Sequence, residues 1–276
     1  MMSATLPHLV SSPAARAVLY GFTGLVLAFL VMPILAIVPL SFNSSSFLSY
    51  PVAGFSLRWY GELVGSSGWS SALRNSVLVA SATTALATPL GTLAALGLTR
   101  LSSALKPLLI ALLLAPMFVP VIIVAVASYF LYADLGLAHS FVGLVLGHTV
   151  LATPFVVLVV HASLQGFDAT LLRAGASLGA PPVTVVRTVL LPMIAPGMFA
   201  AAIFAFTTSF DEIVVAMLLA GVEQKTLPLK MFEGVRDHIS PAITAAATLL
   251  VLTSILLLGV VEGLRRQRAR LWGQPT

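Results

Sequence analysis

Cysteine is absent from the 276 residues, which excludes disulfides, Cys-ligated zinc and thiol catalysis. Charge is scarce as well. Asp, Glu, Lys and Arg make up 8% of the chain, against about 25% in an average soluble domain. A soluble globular fold is therefore excluded. There is no G-x4-G-K-[ST] phosphate loop, so the chain is not an ATP motor by that route. His148 and His161 have neither HxxxH nor HExxH spacing, and no metal is expected. Ser209 has no histidine near it in sequence, so no nucleophile arrangement and no catalytic residue are expected. No repeat of 20 to 50 residues and no linker divides the chain, which reads as one domain, 1–276.

What fills the chain is apolar sequence. Hydrophobic residues are 59% of it, and the mean hydropathy is +1.05. Uncharged runs cover 17–57, 75–99, 107–133, 135–167, 188–210 and 238–261. A spanning helix needs roughly 20 apolar residues, whereas barrel strands would show alternating segments of about 10. The fold class is therefore all-α, a polytopic membrane protein with six transmembrane helices. Spans are placed near 17–41, 74–99, 107–132, 140–164, 193–220 and 241–264. The first apolar stretch, from Ala17 to Phe42, exceeds the 7–15 residues of a signal h-region, so an uncleaved first helix is expected.

The net charge of +5 comes from residues flanking the spans. Arg16, Arg100, Lys106, Arg173, Arg187, Arg265, Arg266, Arg268 and Arg270 fall on one side of the membrane. Arg58, Arg74, Lys225, Lys230 and Arg236 fall on the other. The positive-inside rule puts the heavier side, with both termini and the segment 165–192, in the cytoplasm. Loops 42–73, 133–139 and 221–240 then lie outside, where Trp59 and Tyr60 are expected at the membrane interface and Glu233, Arg236 and Asp237 on a solvated face or against an outer partner. Prolines 33, 39, 89, 116, 120, 154 and 196 read as kinks in a packed bundle. Small residues at Ala87/Gly91/Ala95 and Gly143/Gly147 read as close helix contacts.

The segment RAGASLGAPPVTVVRTVLLP, 173–192, is too polar for a span. Asp168 can cap a first helix, 169–178. Gly179 suits a left-handed C′ position, and Pro181 and Pro182 suit the first turn of a second helix. That helix is expected to run to Leu191 and stop at Pro192. Leu171, Gly175 and Leu178, with Leu172 and Ala176 beside them, give the first helix an apolar face shaped for a partner's groove.

These residues resemble the cytoplasmic loop of binding-protein-dependent ABC importer permeases, E-A-A-x3-G-x9-I-x-L-P. Ala174 matches the first alanine, Gly179 the glycine, and Val189, Leu191 and Pro192 the end of the motif. Arg173 replaces the glutamate and Gly175 the second alanine. TSFDEIVVAMLLAG (208–221), TLPLKMFEGVRDHISPAITAAATLLV (226–251) and GFSLRWYGEL (54–63) resemble permeases of the spermidine/putrescine importer subfamily. The resemblance implies a type I (MetI-like) permease fold in the bacterial inner membrane. It implies as partners a second, homologous permease, two ATPase subunits and a solute-binding protein outside, with no cofactor in this chain. It also implies that Leu171, Leu172, Arg173, Ala174, Gly175, Ser177, Leu178, Gly179 and Ala180 form the helix that couples to the ATPase. The expected function is ATP-driven import of a polyamine or related small solute by alternating access. A secondary transporter or channel, not coupled to ATP, is the alternative.

Asp211 and Glu212 interrupt the fifth span after Phe210. Counted from Met193, Asp211 lies about 27 Å along a helix, near the outer boundary of a hydrocarbon core roughly 30 Å thick. A carboxylate in lipid costs about 2.5–3.5 kcal/mol. Two readings stay open: Phe210, Asp211 and Glu212 line the outer end of a solute path, or the acids pair with loop 221–240 or with interfacial solvent.

Overall fold

The computed structural model describes residues 13–101, 104–237 and 240–271. The side chains of Asp237 and of the tail arginines Arg265, Arg266, Arg268 and Arg270 lie outside the described residues. The described chain is helical, with one isolated bridge between Asn43 and Phe55. Among the described residues, five helices are long and apolar enough to cross a membrane: α1 (Pro13–Ser41), α3 (Ser67–Arg100), α6 (Phe141–Gln165), α9 (Leu191–Phe210, continuous with helix from Pro182) and α12 (Pro241–Leu271). Short α2 (Arg58–Gly65) precedes α3.

The third expected span is two helices, α4 (Lys106–Phe118) and α5 (Val121–Asp134), bent by 99° at Val119 and Pro120. Pro120 offers no N–H and pushes the residue before it out of the helical region. Val119 accordingly sits at ψ 132. The pair still carries the chain from one end of the bundle to the other. Thr83 on α3 reaches Val145 on α6, and eight residues later Gly91 touches Val156 and Thr153. The register climbs together, so α3 and α6 run parallel, and the segment between them returns to the starting side.

The core is the triangle of α3, α6 and α9. Ala87, Ala95, Ala152, Val156, Val160, Ile194, Ala201 and Ala205 close its centre. Small residues let the axes approach: a Cβ on Gly91 would lie 2.6 Å from Val156 Cβ. α1 leans against α12, and only Ser41 of its residues is buried. A second cluster forms where α2 and α12 meet: Trp59, Leu63, Leu227, Ala242, Ala245 and Ala246. Trp59 is thus inside the protein, 5% exposed, and not the interface anchor its position suggested. Its indole Nε1 donates to Asn43 O at 2.7 Å, which removes the need for a wet end.

Two further departures concern breaks. Pro192 does not end the second hairpin helix. α8 (Pro182–Val185) passes through a π turn, Val186–Leu190, straight into α9. The wider turn, with Leu191 N–H donating to Val186 O, accommodates the N–H that Pro192 lacks. The fifth span instead breaks after Phe210 and resumes as α10 (Val214–Leu219). Beyond it, the segment leading to α12 holds α11 (Leu227–Asp237). Asn75 fixes that loop to α3 by donating to Glu223 O and Lys225 O, and Ser76 Oγ accepts from Leu227 N–H.

Candidate functional site

The hairpin leaves the bundle at Gly166. Asp168 accepts the Thr170 N–H at 2.9 Å, and it is chiefly that backbone bond that holds the Asp168 carboxyl below its usual value. α7 (Thr170–Ser177) follows. Gly179 takes φ +79, and nothing would obstruct a Cβ there, so backbone handedness alone selects glycine. Pro181 then delivers the chain into α8. The helix–turn–helix shape that the sequence suggested is present.

Its faces are distributed as follows. Leu172 packs on the cluster around Leu190 and Ile194. Gly175 faces Val185 of α8, and an added Cβ would come within 3.0 Å of Val185 Cγ2. Gly175 and Leu172 therefore belong to the inner side, not to the apolar outer face expected of them. Leu171, Arg173, Ala174, Ala176, Ser177, Leu178 and Gly179 are exposed and Ala180 is half-buried. Leu178 is 87% exposed and Val183 63%. A rigid, braced helix end with bare leucines, standing off the bundle, can seat in a partner's groove.

At the other end of α9 the two acids part company. Glu212 accepts the Val214 and Val215 N–H groups at 3.2 and 3.0 Å, capping α10. Asp211 closes α9, its N–H donating to Thr207 O, and its side chain is exposed. Phe210 is buried, its ring stacked on Phe206 at 5.3 Å. Among the described residues neither acid takes a cation from loop 221–240 as an ion pair; Lys225 pairs with Glu233 at 2.7 Å. Arg236 is exposed.

Sequence reasoning missed two features. His148 Nδ1 lies 2.8 Å from Ser209 Oγ, both side chains buried, across 61 residues of chain. The pair is sealed in the core, so it links α6 to the last turn of α9 and offers no route to a substrate. A groove of about 420 Å³ also runs along α9 between Arg187 and Ala202, with Thr88 of α3 on its wall. Neither has a signal in the sequence: the groove depends on how α3 packs beside α9, and the partner of His148 is 61 residues away. Among the described residues no three His, Asp or Glu side chains gather as a metal site.

The family model for the binding-protein-dependent transport system inner membrane component matches residues 87–270. The spermidine/putrescine transport system permease protein PotC of Escherichia coli K12 is 32% identical over 250 residues, 91% of this chain and 94% of that one. The putrescine transport system permease protein PotI of the same strain is 33% identical over 258 residues, 91% of this chain and 89% of that one. Among solved structures, a bacterial ABC transporter that imports alginate superposes with a TM-score of 0.71 at 14% identity, over 91% of this chain and 98% of the other. The inward-facing MetNI methionine ABC transporter gives 0.59 at 22% identity, over 77% and 99%. These matches decide for an ATP-coupled importer over a secondary transporter or channel. Permeases of such importers work with ATPase subunits and a periplasmic binding protein. The chain belongs to the inner membrane components of binding-protein-dependent transport systems: it is a multi-pass permease subunit of an ABC importer and a transport component, not an enzyme.

Proposed function

We propose that this permease carries polyamines, spermidine or putrescine, inward across the membrane. The observation that carries the reading is the likeness of nine-tenths of the chain to two permeases named for those solutes. The hairpin residues Leu171 to Ala180 are the ATPase-coupling element. Leu171 and Leu178 enter the ATPase groove, Leu172 and Gly175 brace α7 on the bundle, and Gly179 sets the turn. The partner permease is a homologous chain, and the solute-binding protein docks from outside over loops 42–73, 133–139 and 221–240. The hairpin and both termini are cytoplasmic.

The mechanism is alternating access. ATP draws the ATPase subunits together, the hairpins follow, and the path opens outward to receive solute; hydrolysis returns it inward. Asp211 lines the outer end of the path, where its exposed carboxylate attracts an organic cation. Glu212 serves that position indirectly by holding α10.

The test is labelled spermidine uptake into vesicles carrying ATP on the hairpin side, with wild type and Gly179→Asp compared. Aspartate tolerates the left-handed backbone better than most residues, and space around Gly179 is open. The variant should therefore fold, put a charge on the docking face, lose its ATPase on purification and lose uptake. Uptake that survives ATP removal, or wild type that never co-purifies with an ATPase, refutes the reading.

A further inference from the structure

The docking face of the hairpin carries an exposed cation, Arg173, that forms no ion pair among the described residues. α7 turns Leu172 and Gly175 toward the bundle. At 3.6 residues per turn, the opposite side consists of Thr170, Arg173, Ala174 and Ser177, all exposed. Leu171 and Leu178 flank it on one edge and Arg173 stands on the other. The centre is made of two short side chains, Ala174 and Ser177, so a partner's backbone can come close there.

Arg173 forms no ion pair among the described residues. Asp168, one turn and a half back, attracts Arg173 only weakly and from beyond ion-pair distance, and its carboxylate accepts the Thr170 N–H at the helix start. In the isolated chain water solvates the guanidinium, and the arrangement costs nothing. Covering α7 removes that water. A guanidinium does not shed its proton, and an unpaired charge taken out of water is expensive. The acceptor has to come from whatever covers the helix.

We propose that the ATPase subunit seating this hairpin carries a carboxylate opposite Arg173, and that Arg173 thereby selects its ATPase. The inference rests on the reading of the hairpin as the ATPase-docking element and names the chemistry of the surface it meets. The planar fork of arginine takes a carboxylate through two parallel N–H donors. Leu171 and Leu178 fill the apolar part of the same groove, and Ala174 and Ser177 let its wall approach. A groove built to pair a glutamate at this position, as the family motif has it, meets Arg173 with like charge and is rejected. That repulsion gives discrimination as well as affinity.

The experiment uses the ATPase that co-purifies with the wild-type chain from its own membrane. It is separated and rebound to full-length wild type, Arg173→Lys, Arg173→Gln and Arg173→Glu in mild detergent, at low and high salt. Arg173→Glu should weaken binding more than about tenfold, Gln less and Lys least. Salt should weaken wild type and leave the Gln variant almost unaffected. Reversing the facing carboxylate to lysine on the ATPase should restore binding to the Glu variant. Thermal unfolding accompanies each variant, and should Arg173→Glu prove unstable, the Gln variant and its salt response decide alone. Glu and Gln variants that bind within about twofold of wild type at low salt overturn the charge assignment. Absence of any ATPase with wild type overturns the docking reading first, and this proposal falls with it.

Discussion

Asp211 and Glu212 are adjacent acids with different work, and separating them experimentally tests both assignments at once. Glu212 spans the break between α9 and α10 and accepts two N–H groups, from Val214 and Val215. α10 is six residues long, too short to hold its own first turn, yet it places Val215, Ala216 and Leu219 in the core at 0% exposure. Glu212→Ala strands both donors. Loss of a helix cap costs about 0.5–2 kcal/mol, and a charged acceptor that is half-buried belongs at the upper end, about 2 kcal/mol. Glu212→Gln keeps one acceptor oxygen and should lose about half of that. Asp211 is exposed and its carboxylate caps no helix among the described residues, so Asp211→Asn should stay within about 0.5 kcal/mol of wild type.

Thermal unfolding in detergent reads the first quantity. At about 2–4 °C per kcal/mol for a chain of 150–250 residues, Glu212→Ala should unfold about 4–8 °C lower and Asp211→Asn at the wild-type temperature. Spermidine uptake at equal membrane expression reads the second. Asp211→Asn should raise the half-saturating concentration severalfold, because a multiply charged cation loses its outer carboxylate. Glu212→Gln should lower uptake only as far as it lowers stability. An unchanged melting temperature for Glu212→Ala refutes the cap argument; unchanged uptake by Asp211→Asn refutes the path argument and leaves the cap standing.

Three further outcomes follow from the packing. Gly91→Ala drives a methyl to 2.6 Å from Val156 Cβ and Cγ1 and should lower stability by about 1–3 kcal/mol, with partial recovery on adding Val156→Ala; thermal unfolding of the single and double variants checks it. Ser209→Ala and His148→Leu should each cost about 1–3 kcal/mol by leaving a buried polar group without its partner, while the double variant should cost less than their sum, as a double-mutant cycle would show. Hydrogen bonding depresses the Asp168 carboxyl below its ordinary 3.8, so the cap on Thr170 is whole above that value and is lost as pH falls through the lower folded value. Amide exchange at Thr170, corrected for the intrinsic rate, should speed up on acidification below that point in wild type, and Asp168→Asn should flatten the dependence.

The hairpin was legible because its instructions are local. An acid before a helix, a glycine at the left-handed position and a proline after it each act within two or three residues, and the structure puts Asp168, Gly179 and Pro182 where those rules want them, with Pro181 just ahead of the second helix and not in its first turn. Proline was the poorer guide inside the bundle. Pro33, Pro39, Pro89, Pro116, Pro154 and Pro196 all lie within continuous helices, while Pro120 marks a 99° bend. The rule counts one lost N–H and one ring clash. Whether a helix survives them depends on its neighbours and on relief such as the π turn ahead of Pro192, which no local rule contains. The same limit hid Trp59, whose indole finds its acceptor 16 residues away. It hid the partners of Ser209 and of Glu212 for opposite reasons: one partner is distant, the other is backbone that is free only because the helix breaks.

The unbroken helix from Pro182 to Phe210 ties these sites into one body. Its 29 residues would measure about 43 Å at 1.5 Å per residue, with the hairpin turn at one end and Asp211 at the other. Its middle is clamped: Ile194, Gly197, Ala201 and Ala205 are buried against the triangle core, and close-packed interiors resist bending. A displacement applied at α7 is therefore not dissipated along α9. It can be taken up where the regular hydrogen-bond ladder is already disturbed, at the π turn Val186–Leu190 and at the break around Asp211, or else it moves the rod as a whole. In the proposed cycle the ATPase pushes on one end of this rod and the solute meets the carboxylate at the other. Gly175 matters for the same reason: without a Cβ it seats α7 directly on Val185 at the foot of the rod, so the push enters α9 through packed side chains and not through the loop alone.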